Sequence, residues 1–504
     1  MTEIKTPWYR EMNRYHWFVM VVAALGWVFD CFDQQLFVLA RPAAMKELLT
    51  MSDPSFPQLE AKDANAAIGQ ASGIATSLFL AGWATGGLFF GMLGDRIGRA
   101  KTMLITILLY SLFTGLSALS RNVWDFAFYR FLTGLGVGGE FAVGVALVAE
   151  VMPNNARPYC LALLQAFSAL GNISAALIHW GFGIAEEEGL VTSPWRVMFV
   201  VGALPALLAL VIRAGLKEPE QWQKASHEGA ISKQLGSYSL LFADARWRKH
   251  AILGLVLACA GVIGLWGVGF FTPDLMRLVQ RKGVALDVYN QQIAKASQAG
   301  DSSLVEQFES LKKLEADPKS GVEMTTELKE LKGKYERAIS GRLSKWQSFT
   351  SILINLGAFF GMFGFGVLSQ KIGRKPTFAI ALIAAFAITF CVFWQLKDFS
   401  QMWMVFVMGF CQLSLFAGYA MYFPELFPTH LRSTGTSFCY NVGRFVAAIG
   451  PFIQGKLTAF FTELYGGTGG ESFRYAGMTM CSVFLIGLLV LPLLPETRGK
   501  PLPE

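Results

Sequence analysis

Gly91-Met-Leu-Gly-Asp95-Arg96-Ile-Gly98-Arg99 returns 275 residues later as Gly366-Val-Leu-Ser-Gln370-Lys371-Ile-Gly373-Arg374. A second pair has the same spacing: Glu150-Val-Met-Pro153-Asn-Asn-Ala-Arg157 and Glu425-Leu-Phe-Pro428-Thr-His-Leu-Arg432. Two unrelated motifs at one offset mark a duplicated chain, built as two copies of one structural unit.

Composition says what the unit is made of. The 504 residues are 53% hydrophobic and 16% charged, whereas soluble domains carry about 25% charge. The charges cluster between long apolar runs. Runs of roughly 18 or more apolar residues cross a ~30 Å hydrocarbon core as helices. These runs do not alternate polar and apolar residues, which excludes barrel strands. Spans are expected near 16–40, 69–93, 102–119, 124–149, 158–183, 196–214, 250–273, 346–369, 375–395, 400–423, 433–458 and 474–494. The first run is too long for a signal-peptide core and carries Asp30 and Asp33, so it reads as a span. The expected fold class is an all-α membrane protein with twelve transmembrane helices in two six-helix bundles.

The polar stretches divide these spans. Residues 1–214 form the first bundle, 215–249 a basic central linker, and 250–504 the second bundle. Within the second, 274–345 is an insert rich in Glu, Lys, Leu and Gln that reads as helical. Its length accounts for the spacing of the repeat.

Lys5, Arg10, Arg14, Arg96, Arg99, Lys101, Arg157, Lys371, Arg374, Lys375, Arg432, Arg498 and Lys500 fall with the linker on one side of the expected spans. The excess of Lys and Arg on cytoplasmic loops places both termini in the cytoplasm of a multi-pass plasma (inner) membrane protein, with the insert on the other face. The net charge of +7 therefore fits topology and not nucleic acid. The seven cysteines sit inside apolar runs without metal spacing or a disulfide framework. No nucleotide loop or nucleophile motif is present, so neither an enzyme, a metal nor a cofactor is expected. The expected partners are the lipid bilayer, a small-molecule substrate and protons, with the chain acting as a monomer.

The Gly-x-Leu-x-Asp-Arg-x-Gly-Arg stretch resembles the loop signature of the major facilitator superfamily, and the copy ending at Arg374 resembles it more weakly. Arg130-Phe-Leu-Thr-Gly134-Leu-Gly136-Val-Gly138-Gly139-Glu140 is similar to that superfamily's fourth-helix motif. Pro495-Glu-Thr-Arg498-Gly-Lys-Pro-Leu resembles the ending of its sugar-porter-like branches. The likeness covers essentially the whole chain outside the insert. Asp30-Cys-Phe-Asp33 resembles a first-helix motif of aromatic-acid and sialate carriers. The resemblance implies the major facilitator fold and alternating access. It also implies a cytoplasmic gate of Asp95, Arg96, Gly98, Arg99, Glu150 and Arg157 with the second-half set Gly373, Arg374, Glu425 and Arg432. Gln370 stands where the acid of the first copy would recur.

Ionisable residues inside spans are costly and are functional candidates by default. Asp30, Asp33 and Glu140 are the candidates for proton coupling. Arg130 and Arg444 are candidate partners for a substrate carboxylate, because a guanidinium suits that shape. Static ion pairs, Asp30 with Arg130 or Glu140 with Arg444, are the structural alternative. Gln165, Asn172, Trp266, Asn355, Gln412, Tyr419 and Asn441 are candidates to line a polar site between apolar walls. His179 reads as an interface residue. Gly82, Gly86, Gly134, Gly138, Gly357 and Gly361 form small-xxx-small patterns that permit close helix contact. The functional expectation is proton-coupled symport of a small organic anion. A sugar or polyol porter is the alternative, and a non-transporting sensor is a further one.

Overall fold

A computed structural model describes all residues except 1–7, 59–60, 154–155, 192, 208–210, 213–214, 219–222, 224–237, 318–321, 428–431, 466–468 and 499–504. Among the described residues the regular structure is entirely helical.

The first half comprises α1 (Arg14–Ser52), α2 (Ala61–Ile97), α3 (Arg99–Ser117), α4 (Val123–Val151), α5 (Arg157–Ala166), α6 (Ser168–Glu187) and α7 (Pro194–Val201). The helices α5 and α6 form one span broken at Phe167. The second half opens with α8 (Tyr238–Ala243) and α9 (Ala245–Ile263), the latter continuing into a π turn at Gly264–Val268. Then come α10 (Thr272–Ala299), α11 (Ser302–Ala316), α12 (Thr326–Ile372), α13 (Arg374–Gln395) and α14 (Trp403–Leu426). The eleventh span runs through α15 (Arg432–Ser437), a π turn at Phe438–Val442, α16 (Gly443–Ala447) and α17 (Gly450–Tyr465). The twelfth is α18 (Gly469–Met480) with α19 (Val483–Val490).

Among the described residues ten helical segments are long and apolar enough to cross a membrane, and Pro194–Leu207 is a shorter apolar one. The 29 residues of α4 reach about 44 Å at 1.5 Å each, enough to be the twelfth. The chain thus has the expected twelve-helix, two-bundle fold.

Local chemistry sets several boundaries. Gly98 and Gly373 have φ of 113° and 102°, a region open chiefly to glycine. Each therefore turns one span directly into the next without a loop. Asn122 caps α4 by accepting from the Asp125 amide, and Asp244 caps α9 through the Arg246 and Trp247 amides. Two helices exceed the hydrophobic runs that announce them. The 39 residues of α1 extend to Ser52, and the 47 of α12 begin at Thr326. Helical hydrogen bonding does not stop where apolar sequence ends, and both extensions gain tertiary contacts beyond it.

Glu47 in the extension of α1 pairs with Arg196 at 2.9 Å, and the other contacts involve residues 272–345. Val284, Val288, Tyr289, Phe308, Leu311, Ile339 and Leu343 form a separate apolar cluster that joins α10, α11 and the first turns of α12. Beneath it the two halves meet. Arg41 of α1 donates to Asp274 at 2.6 Å, while Glu187 of α6 pairs with Arg342 at 2.9 Å and with Lys345. His179 bonds the Ser348 hydroxyl at 2.8 Å across the same boundary.

Within each half, glycine brings two helices into backbone contact. A side chain at Gly82 or Gly86 of α2 would collide with the carbonyl of Phe131 or Leu135 on α4. One at Gly134 or Gly138 would strike that of Phe79 or Trp83. The same lock recurs 275 residues later: Gly357 and Gly361 of α12 meet the carbonyls of Phe406 and Phe410, and Gly409 of α14 meets Ile354. Lipid supplies no hydrophobic drive between helices, so such close packing is what holds them.

Gly86→Val is therefore expected to destabilise the detergent-purified protein by about 1–3 kcal/mol or more, lowering its thermal midpoint. Gly181→Ala, where an added methyl meets nothing within 4 Å, should leave the midpoint unchanged. Equal midpoints for both variants would refute the lock.

Candidate functional site

The bundles bring three sets of ionisable side chains into the interior. In the first, Asp33 accepts from Thr114 at 2.6 Å and pairs with Arg130 at 3.4 Å. Arg130 also donates to Ser117 at 2.8 and 3.2 Å and to Thr133 at 3.0 Å. Its guanidinium faces Phe199, with the ring centre 4.7 Å away. Both charges are completely buried. Arg130 therefore does not snorkel, and it pairs with Asp33 and not Asp30. Hydrogen bonds saturate this pair, as a buried ion pair requires if it is not to destabilise.

The second set is Asp30 and Glu140. Both are buried, and none of their four oxygens has a hydrogen-bond partner. Glu140 rests on α1 at Gly26, where any side chain would collide with its Oε1.

The third is Arg444, which sits between the halves. Its guanidinium lies 4.0 Å from the Tyr440 ring centre and 4.5 Å from that of Trp83 on α2. Nη1 donates to Asn441 at 2.8 Å, and Nε is unpartnered. Among the described residues no carboxylate lies within ion-pair distance of Arg444, so the alternative Glu140–Arg444 pair does not form. Arg444 is thus a buried cation held by aromatic faces, the Tyr440 side chain and a neutral amide, and a guanidinium in such surroundings can accept an anion. Trp266 lies edge-on to Trp83 at 5.7 Å and tilts against Phe79 at 5.9 Å, giving the site an aromatic wall from both halves.

The remaining sequence candidates divide by position. Asn172 donates to Asn355 at 2.7 Å across the halves. Asn441 donates to Ser437 at 3.0 Å and packs against α2 at Gly87. Gln165 is buried on the fifth span. Gln412 bonds Thr389 at 2.7 Å, and Tyr419 bonds the Leu257 carbonyl at 2.9 Å. Both bonds lie inside the second bundle, where the Tyr419 ring packs edge-on at 6.4 Å against Tyr440, one of Arg444's aromatic faces. Sequence reasoning missed Arg41, Asp274, Tyr110 and Gly26. Arg41 stands one residue beyond the expected first span, so its burial had no signal in hydropathy.

At the repeated loops, the side chains of Asp95, Arg96, Glu150, Arg157 and Arg432 lie outside the described residues. Arg99 donates to the Gly94 carbonyl at 2.6 Å, as Arg374 does to that of Ser369 at 3.1 Å. Arg374 also grips Glu425 through two bonds of 2.9 and 3.2 Å, and Thr497 donates to the same carboxylate at 2.5 Å. A carboxylate then caps each following helix. Glu218 accepts from the amides of Ala100 and Lys101 at 3.2 and 3.1 Å, and Glu496 from those of Arg374 and Lys375 at 2.9 Å each. An anion at a helix N-terminus satisfies exposed amides and opposes the helix dipole. Glu218 and Glu496 are 278 residues apart, three more than the repeat, so the spacing that matches the loops does not match their caps.

An all-helical double bundle with a buried charge site between its halves is the architecture of a secondary carrier. Residues 20–235 match the family model "Sugar (and other) transporter", and 329–504 match "Major Facilitator Superfamily". The chain is 27% identical to the cis,cis-muconate transport protein of Acinetobacter baylyi, with 85% of this chain and 86% of that protein covered. It is 26% identical to the sialic acid transporter NanX of Escherichia coli, covering 92% and 91%. The proton:xylose symporter XylE shares the fold at a TM-score of 0.63 and 17% identity, over 97% of this chain and 98% of that one. The chain belongs to the major facilitator superfamily. It is a multi-pass membrane transporter of small molecules.

Burial pushes Glu496 up, but the amides of Arg374, Arg498, Lys375 and Thr497 outweigh it and hold the carboxyl below the ordinary glutamate range. A carboxylate with a depressed folded-state value stabilises fully above its unfolded value of about 4.3. That contribution disappears as pH falls through the folded value. The thermal midpoint of wild type should therefore exceed that of Glu496→Gln at neutral pH, with the gap closing in acid. A gap that ignores pH would show that charge at the cap is irrelevant.

Proposed function

We propose that the protein imports a small organic anion together with protons, by alternating access of its two bundles. The observation that carries this reading is Arg444: a buried guanidinium between Trp83 and Tyr440 with no carboxylate on it among the described residues. A substrate carboxylate would complete the site, with Asn441 and Trp266 orienting its remainder. Asp30, Asp33 and Glu140 carry the proton in this reading, and Arg130 sets the charge state of Asp33. The compared relatives named for muconate and for sialic acid move carboxylates, which supports the same substrate class. Symport suits the electrostatics, because a proton offsets the charge of an anion brought into a low-dielectric centre.

The same proposal assigns 1–214 and 250–504 to the two moving bundles, 215–249 to a cytoplasmic linker and 274–345 to an extracytoplasmic cap. Both termini lie in the cytoplasm of the inner membrane, by the distribution of Lys and Arg, and the working unit is the monomer. The gate is the Gly98 and Gly373 loops with Asp95, Arg96, Arg99, Glu150, Arg157, Arg374, Glu425 and Arg432. Gln165, Asn172, Asn355, Gln412 and Tyr419 are kept as positions to test by substitution. A sugar porter is the second reading, favoured by the match of the first half to a sugar-transporter model and by the aromatic wall of Phe79, Trp83 and Trp266.

The two readings separate in proteoliposomes given labelled cis,cis-muconate, sialic acid or D-xylose, with and without an acid-outside gradient. Uptake of a carboxylate that rises with the gradient is the expected result. Removing one member of a buried charge contact costs about 2–5 kcal/mol, so Arg444→Ala should reduce carboxylate uptake at least tenfold. Arg444→Lys should restore little, since a point charge lacks the fork. D-xylose uptake that survives Arg444→Ala, with no carboxylate uptake in wild type, would overturn the organic-anion reading.

A further inference from the structure

The mechanism above uses three acids without distinguishing them, but the structure gives them different surroundings. Asp33 has its guanidinium and its threonine. Asp30, one helical turn before it, has neither: both oxygens are buried and unpartnered, as are both of Glu140. The two carboxyl groups lie close enough to act directly on one another, and both act on the hydroxyl of Tyr110 of α3. That hydroxyl is itself fully buried and without a partner. A third polar group, from a third helix, thus faces the same point.

The backbone around this point is shaped to admit it. Glu140 follows Gly138 and Gly139, and its Oε1 occupies the space that a side chain at Gly26 would fill. The methyl of Met103 lies 3.0 Å from that same position and walls the space from α3. The other ionisable neighbours are accounted for. Asp33 is held by Arg130, Cys31 adjoins Asp30 on α1, and Arg444 from the second bundle acts on Cys31. Among the described residues no cation pairs with Asp30 or Glu140.

Two carboxylates side by side in a dry interior cannot both stay ionised. Their repulsion adds to the desolvation of each, and one proton between them relieves both. We propose that Asp30 and Glu140 form a single-proton site, in which one carboxyl donates its O–H to the other carboxylate, with Tyr110 as the third ligand, separate from the Asp33–Arg130 pair. The proton leaves when opening of the bundles lets water reach the couple: the O–H bond breaks, the pair keeps the electrons, and hydronium forms. The site deepens the proton-coupled reading and rests on it. It also fixes a division of labour, in which Asp33 serves the static pair and the Asp30–Glu140 couple carries the proton that moves.

The test is infrared difference spectroscopy of the full-length purified protein in lipid nanodiscs, titrated from acid to alkaline pH in H2O and D2O. A protonated carboxyl has a carbonyl stretch absent from carboxylates, and the stretch shifts in D2O. Wild type should show one such band at neutral pH. Asp30→Asn and Glu140→Gln should each abolish it, and Asp33→Asn should leave it. Tyr110→Phe, which keeps both acids, should shift its frequency, so that the test stands even if an acid variant does not fold. The proposal is overturned if the band persists in both acid variants, is lost in Asp33→Asn alone, or does not move in Tyr110→Phe. It is likewise overturned if the wild-type band vanishes when choline in the buffer is replaced by sodium, which would make this a metal-cation site. No substrate enters the measurement. A band that behaves as expected in a protein without carboxylate uptake would defeat the organic-anion reading alone, and active uptake without the band would defeat the proton site alone.

Discussion

Backbone-to-backbone contact between paired helices is the constraint on which the architecture rests. At Gly82, Gly86, Gly134 and Gly138, and again at Gly357, Gly361 and Gly409, a carbonyl of one helix fills the place of a side chain on the other. In lipid, where burying an apolar side chain gains little, this proximity does what a hydrophobic core does in water. It also decides chemistry. The approach of α2 to α4 carries Trp83 to the boundary between the halves, and the bare backbone at Gly26 lets Glu140 reach α1.

The interior then holds charge in two different conditions. Arg130 and Asp33 are matched and surrounded by hydroxyls from Ser117, Thr133 and Thr114. Such a group is at rest, because every donor and acceptor has a partner. Arg444, Asp30 and Glu140 are not at rest. Their unpartnered atoms are costly in a medium that offers no water, and a folded protein retains such a cost where something else completes the contacts. An anion at Arg444 and a proton at the acids have opposite charge, so loading both leaves the centre nearly as neutral as before.

Much of this was legible in the sequence, and the failures have physical reasons. The 275-residue repeat gave the two halves, and apolar runs located the spans because the bilayer imposes their length. The ionisable positions stood out against apolar neighbours. Their partners did not. Asp30 and Asp33 are three residues apart and share a helical face, yet one meets α4 at Arg130 and the other at Glu140. Nearly three turns of α4 separate those contacts, and no spacing on α1 reveals them. Nor can hydropathy say which way Tyr419 and Gln412 turn on an all-apolar helix: their hydrogen bonds run to Leu257 and Thr389 within the second bundle. Gly409 completes the second glycine lock, but the next glycine on its helix is Gly418, so it lacks the four-residue spacing that drew attention to the others. The long helices at either end of the insert were hidden because a span is announced by apolar residues, whereas a helix continues for as long as its backbone stays paired.

The fifth span breaks at Phe167, and the π turn of the eleventh ends at Val442. Those residues are also 275 apart, so each bundle has a joint at the same level in its matching rod. Such interruptions are where helices bend. The joint in the eleventh span lies just before Arg444, which makes the guanidinium the tip of a short lever pivoting at Val442. A few degrees of flexure there would swing it away from Trp83 while the locked pairs kept their register. Under the proposed reading, release of an anion from Arg444 and tilting of the rod would be a single mechanical displacement.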